Sequence, residues 1–399
     1  MRRRPVTLAG AAVLAAAGVV ASALALVSPG TTATRAPAAP ATAAATAPAA
    51  PITIALTMLR AYTPQRRNGA TDDYRCFVLD PKLASDVFVT SAHITPGQPS
   101  LVHHVILFKE SGAGAAAALR KERETKGRGW TCFGGPGLGA AGQSSGSRDA
   151  LNGAPWLSAW VPGRTTDALP AGVGVLLPKG SLIVMQVHYN LLNGARADRS
   201  RVELGVQPAT AKLAAVKTLL LVAPVELPCP AGSTGPQCER GTILTESAIK
   251  YGLAEAFIPV GLLRGCDKTL ADYPRQRGDA SDLRTSCDQV LPRDVTIRGV
   301  AGHMHLRGRD IRLTLVRPSG DEQTLLHIPD WDFHWQDVYY LARPVAASAG
   351  DTLRVSCSHD NSPSNQPIVD GKLLTPRYVL WGEGSTDEMC LGIVQVTER

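Results

Sequence analysis

The chain has 399 residues, 44% of them hydrophobic and 19% charged, which is enough to bury two ordinary cores and too apolar for a disordered chain. The formal charge of +7 includes Arg2, Arg3, Arg4 and Arg35, which stand in an acid-free leader; removing those four leaves +3. So thin and scattered a surplus excludes a nucleic-acid footprint, and no nucleic acid is expected as a partner.

Taken in chain order, Arg2–Arg4 form a basic start and Leu8–Val27 an apolar, Ala-rich run, which predicts a secretory signal peptide over residues 1–33. The run is long for a cleaved signal, so an N-terminal anchor is the alternative and the one expected route to a membrane tether. Residues 34–51, "TRAPAAPATAAATAPAAP", read as a flexible linker. A secreted or cell-envelope location follows. From residue 52 on, the chain reads mostly as β. "SLVHHVILFK" (100–109) is a buried strand interrupted by two histidines, and "GSLIVMQVHYN" (180–190) is a continuous apolar run, as for a strand covered on both faces. "DIRLTLVRPSGDEQTLLHI" (310–328) alternates and turns back at Pro318-Ser319-Gly320, a hairpin signal; "DTLRVSCS" (351–358) alternates likewise. Helical patterns are confined to Ala115–Lys126 and Thr245–Ala256. The stretch "LGVQPATAKLAAVK" (204–217) is a plausible joint, giving domains over 52–208 and 209–399, with 229–290 as a cysteine-rich insertion pinned by local bridges. Many short strands between Gly/Pro turns predict sandwiches or jelly rolls.

Eight cysteines behind an export signal, with no CxxC among them, favour disulfides over a zinc ribbon. The histidines are placed unevenly. His103 and His104 are adjacent, so on a regular strand they would point to opposite faces; to share one ion the strand must bulge or twist, or the rings must use different nitrogens. His188 ends the apolar run. His303 and His305, in "AGHMHLRGRD", are two apart and share a face, and Met389 stands beside Cys390 in "GEGSTDEMC". Taken singly, a His-x-His can be structural, His188 a core histidine and Met389 a core methionine. Three imidazoles without a carboxylate suit zinc or copper, whereas two imidazoles and a thioether select copper. There is no HExxH, no GxSxG and no nucleotide-binding glycine loop, since "GGPGLG" (134–139) follows no strand–turn–helix pattern.

The stretches "VHHVILF", "LSAWVPGRTTDALPAGVGVLL" with "QVHYN", "GHMHLRGR", "GDTLRVSCS" and "GSTDEMC" occur in the order found in one family. The chain resembles the copper type II ascorbate-dependent monooxygenases, which include peptidylglycine α-hydroxylating monooxygenase and dopamine β-monooxygenase. The resemblance implies an all-β protein of two tandem jelly-roll β-sandwich domains facing across an open, watery cleft. It implies two copper ions per chain: one, electron-donating, held by His103, His104 and His188, the other, O2-binding, held by His303, His305 and Met389. Ascorbate or another one-electron reductant and O2 are then co-substrates, and a C–H bond of a small organic or peptide-like substrate is hydroxylated. It also implies a Cys357–Cys390 disulfide; Cys229–Cys238 and Cys266–Cys287 are expected from proximity, and Cys76–Cys132 by elimination. A monomer is expected.

Departures from the family pattern refine this. Where peptide-hydroxylating members carry an arginine two positions before the His-x-His, this chain has Ala301. Where they carry an asparagine and a tyrosine after the Met-Cys pair, it has Leu391 and Ile393. The site should therefore be more apolar than one that grips a peptide carboxylate. Met304 should face the core. Gln186 is placed to order water near His188. His93, His327, His334 and His359 read as structural, "PDWDFHWQDVYY" (329–340) as sheet packing, and Asp387 and Glu388 as solvent-facing or turn-making. The rival readings are an exported copper-binding or storage protein without hydroxylase activity, and a double jelly-roll adhesion or carbohydrate-binding module.

Overall fold

The strand Leu182–Asn190 sets the layering. Ile183, Met185, Val187 and Tyr189 point into one apolar cluster, and Leu182 and Val184 into another on the opposite face. A strand buried on both sides has no polar alternation, which is why this one reads as an unbroken apolar run. It lies inside a five-stranded sheet in the order Trp130–Thr131, Asp72–Leu79, Leu182–Asn190, Val102–Glu110, Trp156–Trp160. The helix Gly112–Glu124 supplies Ala115 and Ala118 to the cluster on its outer face.

The computed structural model describes residues 52–139, 154–164, 167–192, 194–273 and 278–399. The leader and linker expected over 1–51 lie outside the described residues. Pro48–Arg399 form one compact unit. An eight-stranded sheet runs through both halves in the order Ile52–Thr57, Arg201–Pro208, Val87–Thr95, Val173–Leu177, Ala214–Val222, Leu391–Glu398, Val295–His303, Tyr339–Ala347. Its first part packs on the five-stranded sheet through a cluster drawn from residues 58–216. Its second part packs on a four-stranded sheet (Leu283–Val290, Thr352–His359, Gly308–Val316, Glu322–Ile328) through a cluster drawn from residues 220–396. The architecture is all-β, as expected, with two sandwich-like cores along one shared sheet.

Local chemistry accounts for the elements. In Thr352–His359 the buried residues are Leu353, Val355, Cys357 and His359, a strict period of two. Gly308–Val316 and Glu322–Ile328 form the expected hairpin, with the Gly320 amide donating to the Arg317 carbonyl in the turn. The helical pattern over Thr245–Ala256 instead straddles two helices, Arg240–Tyr251 and Leu253–Gly265. Gly252 parts them with φ of +103°, a conformation open to glycine and costly for other residues. All four disulfides join the expected partners: Cys76–Cys132, Cys229–Cys238, Cys266–Cys287 and Cys357–Cys390. No helix among the described residues is long and apolar enough to cross a membrane.

Candidate metal centre

His103 and His104 do bulge their strand. Val102 pairs with Tyr189 and His104 with His188, so the register slips by one residue at His103. The slip turns consecutive side chains toward one side. His103 Nδ1 lies 3.2 Å from His104 Nδ1 and 3.1 Å from His188 Nδ1. These three side chains are the one His/Cys/Asp/Glu group among the described residues whose donor atoms, all within 4.8 Å of one another, could hold a metal ion.

Protonation follows from the partners. His188 Nε2 is 2.8 Å from Asp72 Oδ1, which also accepts from Ser385 Oγ at 2.7 Å; Asp72 Oδ2 accepts from Thr71 Oγ1 at 2.6 Å. Burial works against the Asp72 carboxylate, but the His188, Thr71 and Ser385 contacts outweigh it and hold its pKa below the ordinary value. An ionised carboxylate only accepts, so His188 carries a proton on Nε2, and a metal-binding lone pair of this ring can only be the one on Nδ1, toward His103. His103 Nε2 is buried without a partner. Whichever nitrogen carries its proton, three converging Nδ1 atoms cannot all be satisfied by one another, whereas a cation among them would satisfy all three.

His303 ends the strand Val295–His303, and His305 follows two residues later; their ring centroids are 5.2 Å apart. His303 Nδ1 lies 2.7 Å from Gln336 Oε1, whose amide is oriented by Gln336 Nε2 donating to the Phe333 carbonyl at 2.8 Å. The His303 proton is therefore on Nδ1 and its Nε2 is free to bind. Both ring nitrogens of His305 are buried without a partner, an arrangement a bound cation would relieve. Burial pushes the His303 pKa down to about 4, against the Gln336 contact. Burial and the neighbouring histidines push His103, His104 and His305 well below the ordinary value. All four are neutral near pH 7, the form in which imidazole binds a metal.

Met389 is buried and lines a cavity of about 100 Å³ together with His104 and His303. Glu388 fixes it. Its carboxylate accepts from the backbone amides of Met389 (2.8 Å), His305 and Arg307 (2.8 Å), tying the His-x-His turn to the methionine. Glu388 thus makes the turn contact expected of it, from a fully buried position. His359, read from sequence as structural, presses Nε2 to within 3.3 Å of the Met389 carbonyl. Met304 faces the core, as expected. Gln186 donates to the Gly135 carbonyl at 3.0 Å.

The open, watery gap implied by the resemblance is not what these residues form. His104 lies 6.0 Å from His303, ring centre to ring centre, and His103 lies 6.3 Å from both His303 and His305. Within segment 329–340, Trp331 packs on the core and Tyr339 and Tyr340 join the sheet, as expected, whereas Phe333 and Gln336 account for the closure: Phe333 stacks on His103 at 4.4 Å and 13°, and the Gln336 backbone amide donates to the Pro162 carbonyl across the two halves. Sequence reasoning missed Asp72, Tyr74, Phe333 and Gln336. Their one signal was polar or aromatic character on strands and loops otherwise accounted for.

Ala301, Leu391 and Ile393 line the cavity beside His303, with Ile106, Trp156 and Val338, so the departures from the peptide-binding pattern do make an apolar wall. Trp156 and Trp381 also line it, and each has a buried indole N–H without a partner. In the same wall, burial and the nearby Glu255 carboxylate push the Glu383 pKa well above the ordinary value.

Residues 283–395 match a family described as copper type II ascorbate-dependent monooxygenase, C-terminal domain. DBH-like monooxygenase protein 1 of Homo sapiens is 28% identical over 110 residues, 27% of this chain and 16% of the relative. Its Mus musculus counterpart is 31% identical over 101 residues, 25% of this chain and 14% of the relative. The similarity thus spans about a sixth of each curated relative. Among solved structures, PNGF-II aligns over 87% of this chain and 66% of its own with 10% identity and a TM-score of 0.28, too low to carry an argument.

Proposed function

We propose that this chain, whose residues 283–395 match the copper type II ascorbate-dependent monooxygenase C-terminal domain, is an exported enzyme of that kind, using O2 and a one-electron reductant such as ascorbate to hydroxylate a C–H bond of a small, largely apolar organic molecule. The observation that carries this reading is the convergence of buried imidazoles, with nitrogens of His103 and His305 left unpartnered, beside an apolar cavity that His104, His303 and Met389 line. In this reading His103, His104 and His188 hold one copper through Nδ1, and His303, His305 and Met389 hold a second. Copper in those donor sets supplies one-electron redox chemistry toward O2, with the thioether favouring the cuprous state.

The remaining work falls to the chain's own residues. Asp72 and Gln336 select the tautomers of His188 and His303, while Glu388 and His359 hold the Met389 loop. Phe333 and the close approach of the two halves keep bulk water out. Ala301, Leu391 and Ile393 present an apolar surface to the substrate's hydrocarbon part. The two indole N–H groups call for an oxygen acceptor on the substrate, because a buried donor left unpaired costs about 1–3 kcal/mol. Four disulfides fit an oxidising compartment outside the cytoplasm.

The test is metal analysis together with turnover on the purified full chain. The expected result is two coppers per chain and ascorbate-dependent O2 uptake matched by a hydroxylated product from a panel of small apolar ketones, ethers and phenols. His303→Ala and Met389→Ala should each abolish product formation. Retained turnover in both variants would refute the assignment, and copper binding without O2 uptake would favour a storage protein.

A further inference from the structure

A second cavity, of about 390 Å³, opens between segment 248–252 of the cysteine-rich insertion and the strand Asp72–Leu79. Its floor includes Asp72 and Tyr74, the two side chains that hold and stack on His188, so it reaches the back of the first histidine group. Its accessible charges are cationic. Arg67 is exposed and Lys250 half-buried at the rim, whereas Asp72 and Asp73 are buried beneath and occupied, Asp73 by the Tyr62 hydroxyl and the Gln65 amide. Lys250 also stands 3.7 Å from Glu246, whose carboxylate is shared with Arg377.

Aromatic rings bridge the cavity to the histidines. Tyr251 meets Phe133 edge-on at 5.6 Å, Phe133 meets Tyr74 at 5.2 Å, and Tyr74 stacks on His188 at 3.9 Å and 18°. The Cys76–Cys132 disulfide pins the residue before Phe133 to the strand that carries Tyr74. Nothing in the substrate cavity explains this column, which approaches the site from the other side.

We propose that this cavity is the docking site of the anionic reductant, and that Phe133 and Tyr74 are the contact through which its electron reaches the metal held by His103, His104 and His188. The inference rests on the copper-dependent reading above and adds where the electron enters. Ascorbate at neutral pH is an enediol monoanion. It gives up one electron and its remaining enediol proton to become the semidehydroascorbate radical anion, the proton leaving to solvent at the cavity mouth while Cu(II) becomes Cu(I). Arg67 and Lys250 attract the anion and shed the radical product, which has the same charge and fewer donors.

The experiment is anaerobic and needs no substrate. Copper-loaded full chain is mixed with ascorbate and the loss of the cupric EPR signal is followed by rapid freeze-quench. In the wild type the rate should saturate with ascorbate. In Arg67→Glu/Lys250→Glu the half-saturating concentration should rise about tenfold, as for loss of ionic contacts to a bound anion. Reduction by a neutral donor, dimethyl-p-phenylenediamine, should change less than twofold. Phe133→Leu should lower the saturating rate severalfold without moving half-saturation or copper content. A linear ascorbate dependence in the wild type, or variants indistinguishable from it, overturns the docking site while leaving the monooxygenase reading intact. Absence of bound copper overturns both.

Discussion

Asp72→Asn tests the claim that a carboxylate 2.8 Å from Nε2 sets which nitrogen of His188 faces the metal. Asparagine keeps the shape but loses the charge, and its amide can donate to Nε2, leaving the proton on Nδ1 where the lone pair is needed. The bond removed is buried and charge-assisted, and such bonds contribute about 1.5–3 kcal/mol. At about 1.4 kcal/mol per decade, copper affinity at the first site should fall roughly 10- to 100-fold. Both side chains are fully buried, so water cannot substitute for the lost acceptor. The assay is competition with a chelator of known copper affinity, read separately for the two sites by mutating His303 in a parallel background. A loss under twofold at the first site, or an equal loss at the site containing His303, would refute the tautomer argument.

Four further outcomes are expected. Burial alone raises the Glu110 pKa from 4.5 to about 7. The folded state therefore favours the neutral acid, and stability is lost as pH rises from about 4.5 to 7. Thermal melts should show Glu110→Gln matching wild type at pH 4 and exceeding it by about 1–3 kcal/mol at pH 8, the upper limit trimmed by the helix N-terminus beside it. Arg307 is fully buried, with its guanidinium bonded to Asn361 Oδ1, the Thr386 carbonyl and Gln366 Oε1. Arg307→Met should lower the urea unfolding free energy by about 3–5 kcal/mol, because three buried acceptors lose their donor. Ala301→Leu fills part of the 100 Å³ cavity, so KM for the substrate should rise severalfold at unchanged copper content in steady-state assays. Breaking Cys266–Cys287 with a paired serine substitution opens a 21-residue closure and should cost about 3 kcal/mol in a denaturant titration, with copper binding retained.

What could be read from the sequence was what a short window contains. Ile311, Leu313 and Leu315 alternate because one face of their strand is buried, and the pattern needs no knowledge of what buries it. The adjacency of His103 and His104 implied a bulge or a twist, since a regular strand cannot aim both at one ion, and the register slip is there. By contrast, Asp72 meets Ser385 across 313 residues, and Gln336 meets His303 across 33. No local period marks such pairs. Aromatic residues beside strands usually pack on the sheet, as Trp331 does, but Phe333 turns away and lies over His103 instead, a placement with no local signature.

The separation of the two histidine groups was the least legible feature, and the reason lies in how the halves are joined. The shared sheet passes from one half to the other through Ala214↔Val173 and Ala215↔Gly174, two residue pairs at the end of a long strand. So narrow a seam sets the direction of the halves but contributes little to holding them together. Arg66 on Asp370 and Asn68 on the Ile249 carbonyl join the halves at the surface, and four further cross-links converge on the site: Ser385 on Asp72 and Asn190, Tyr74 on the Glu383 carbonyl, Gln336 on the Pro162 carbonyl, and Phe333 on His103. The closed approach is thus maintained in part by the same side chains that orient the histidine nitrogens, so metal affinity and closure should change together. Ser385→Ala, which removes the hydrogen bond donated to Asp72 and the one accepted from Asn190, should weaken copper binding at the first site and increase amide hydrogen exchange at Gln336, whose N–H bonds the Pro162 carbonyl, in one step. Loss of one without the other would show that the halves are held by something outside the site.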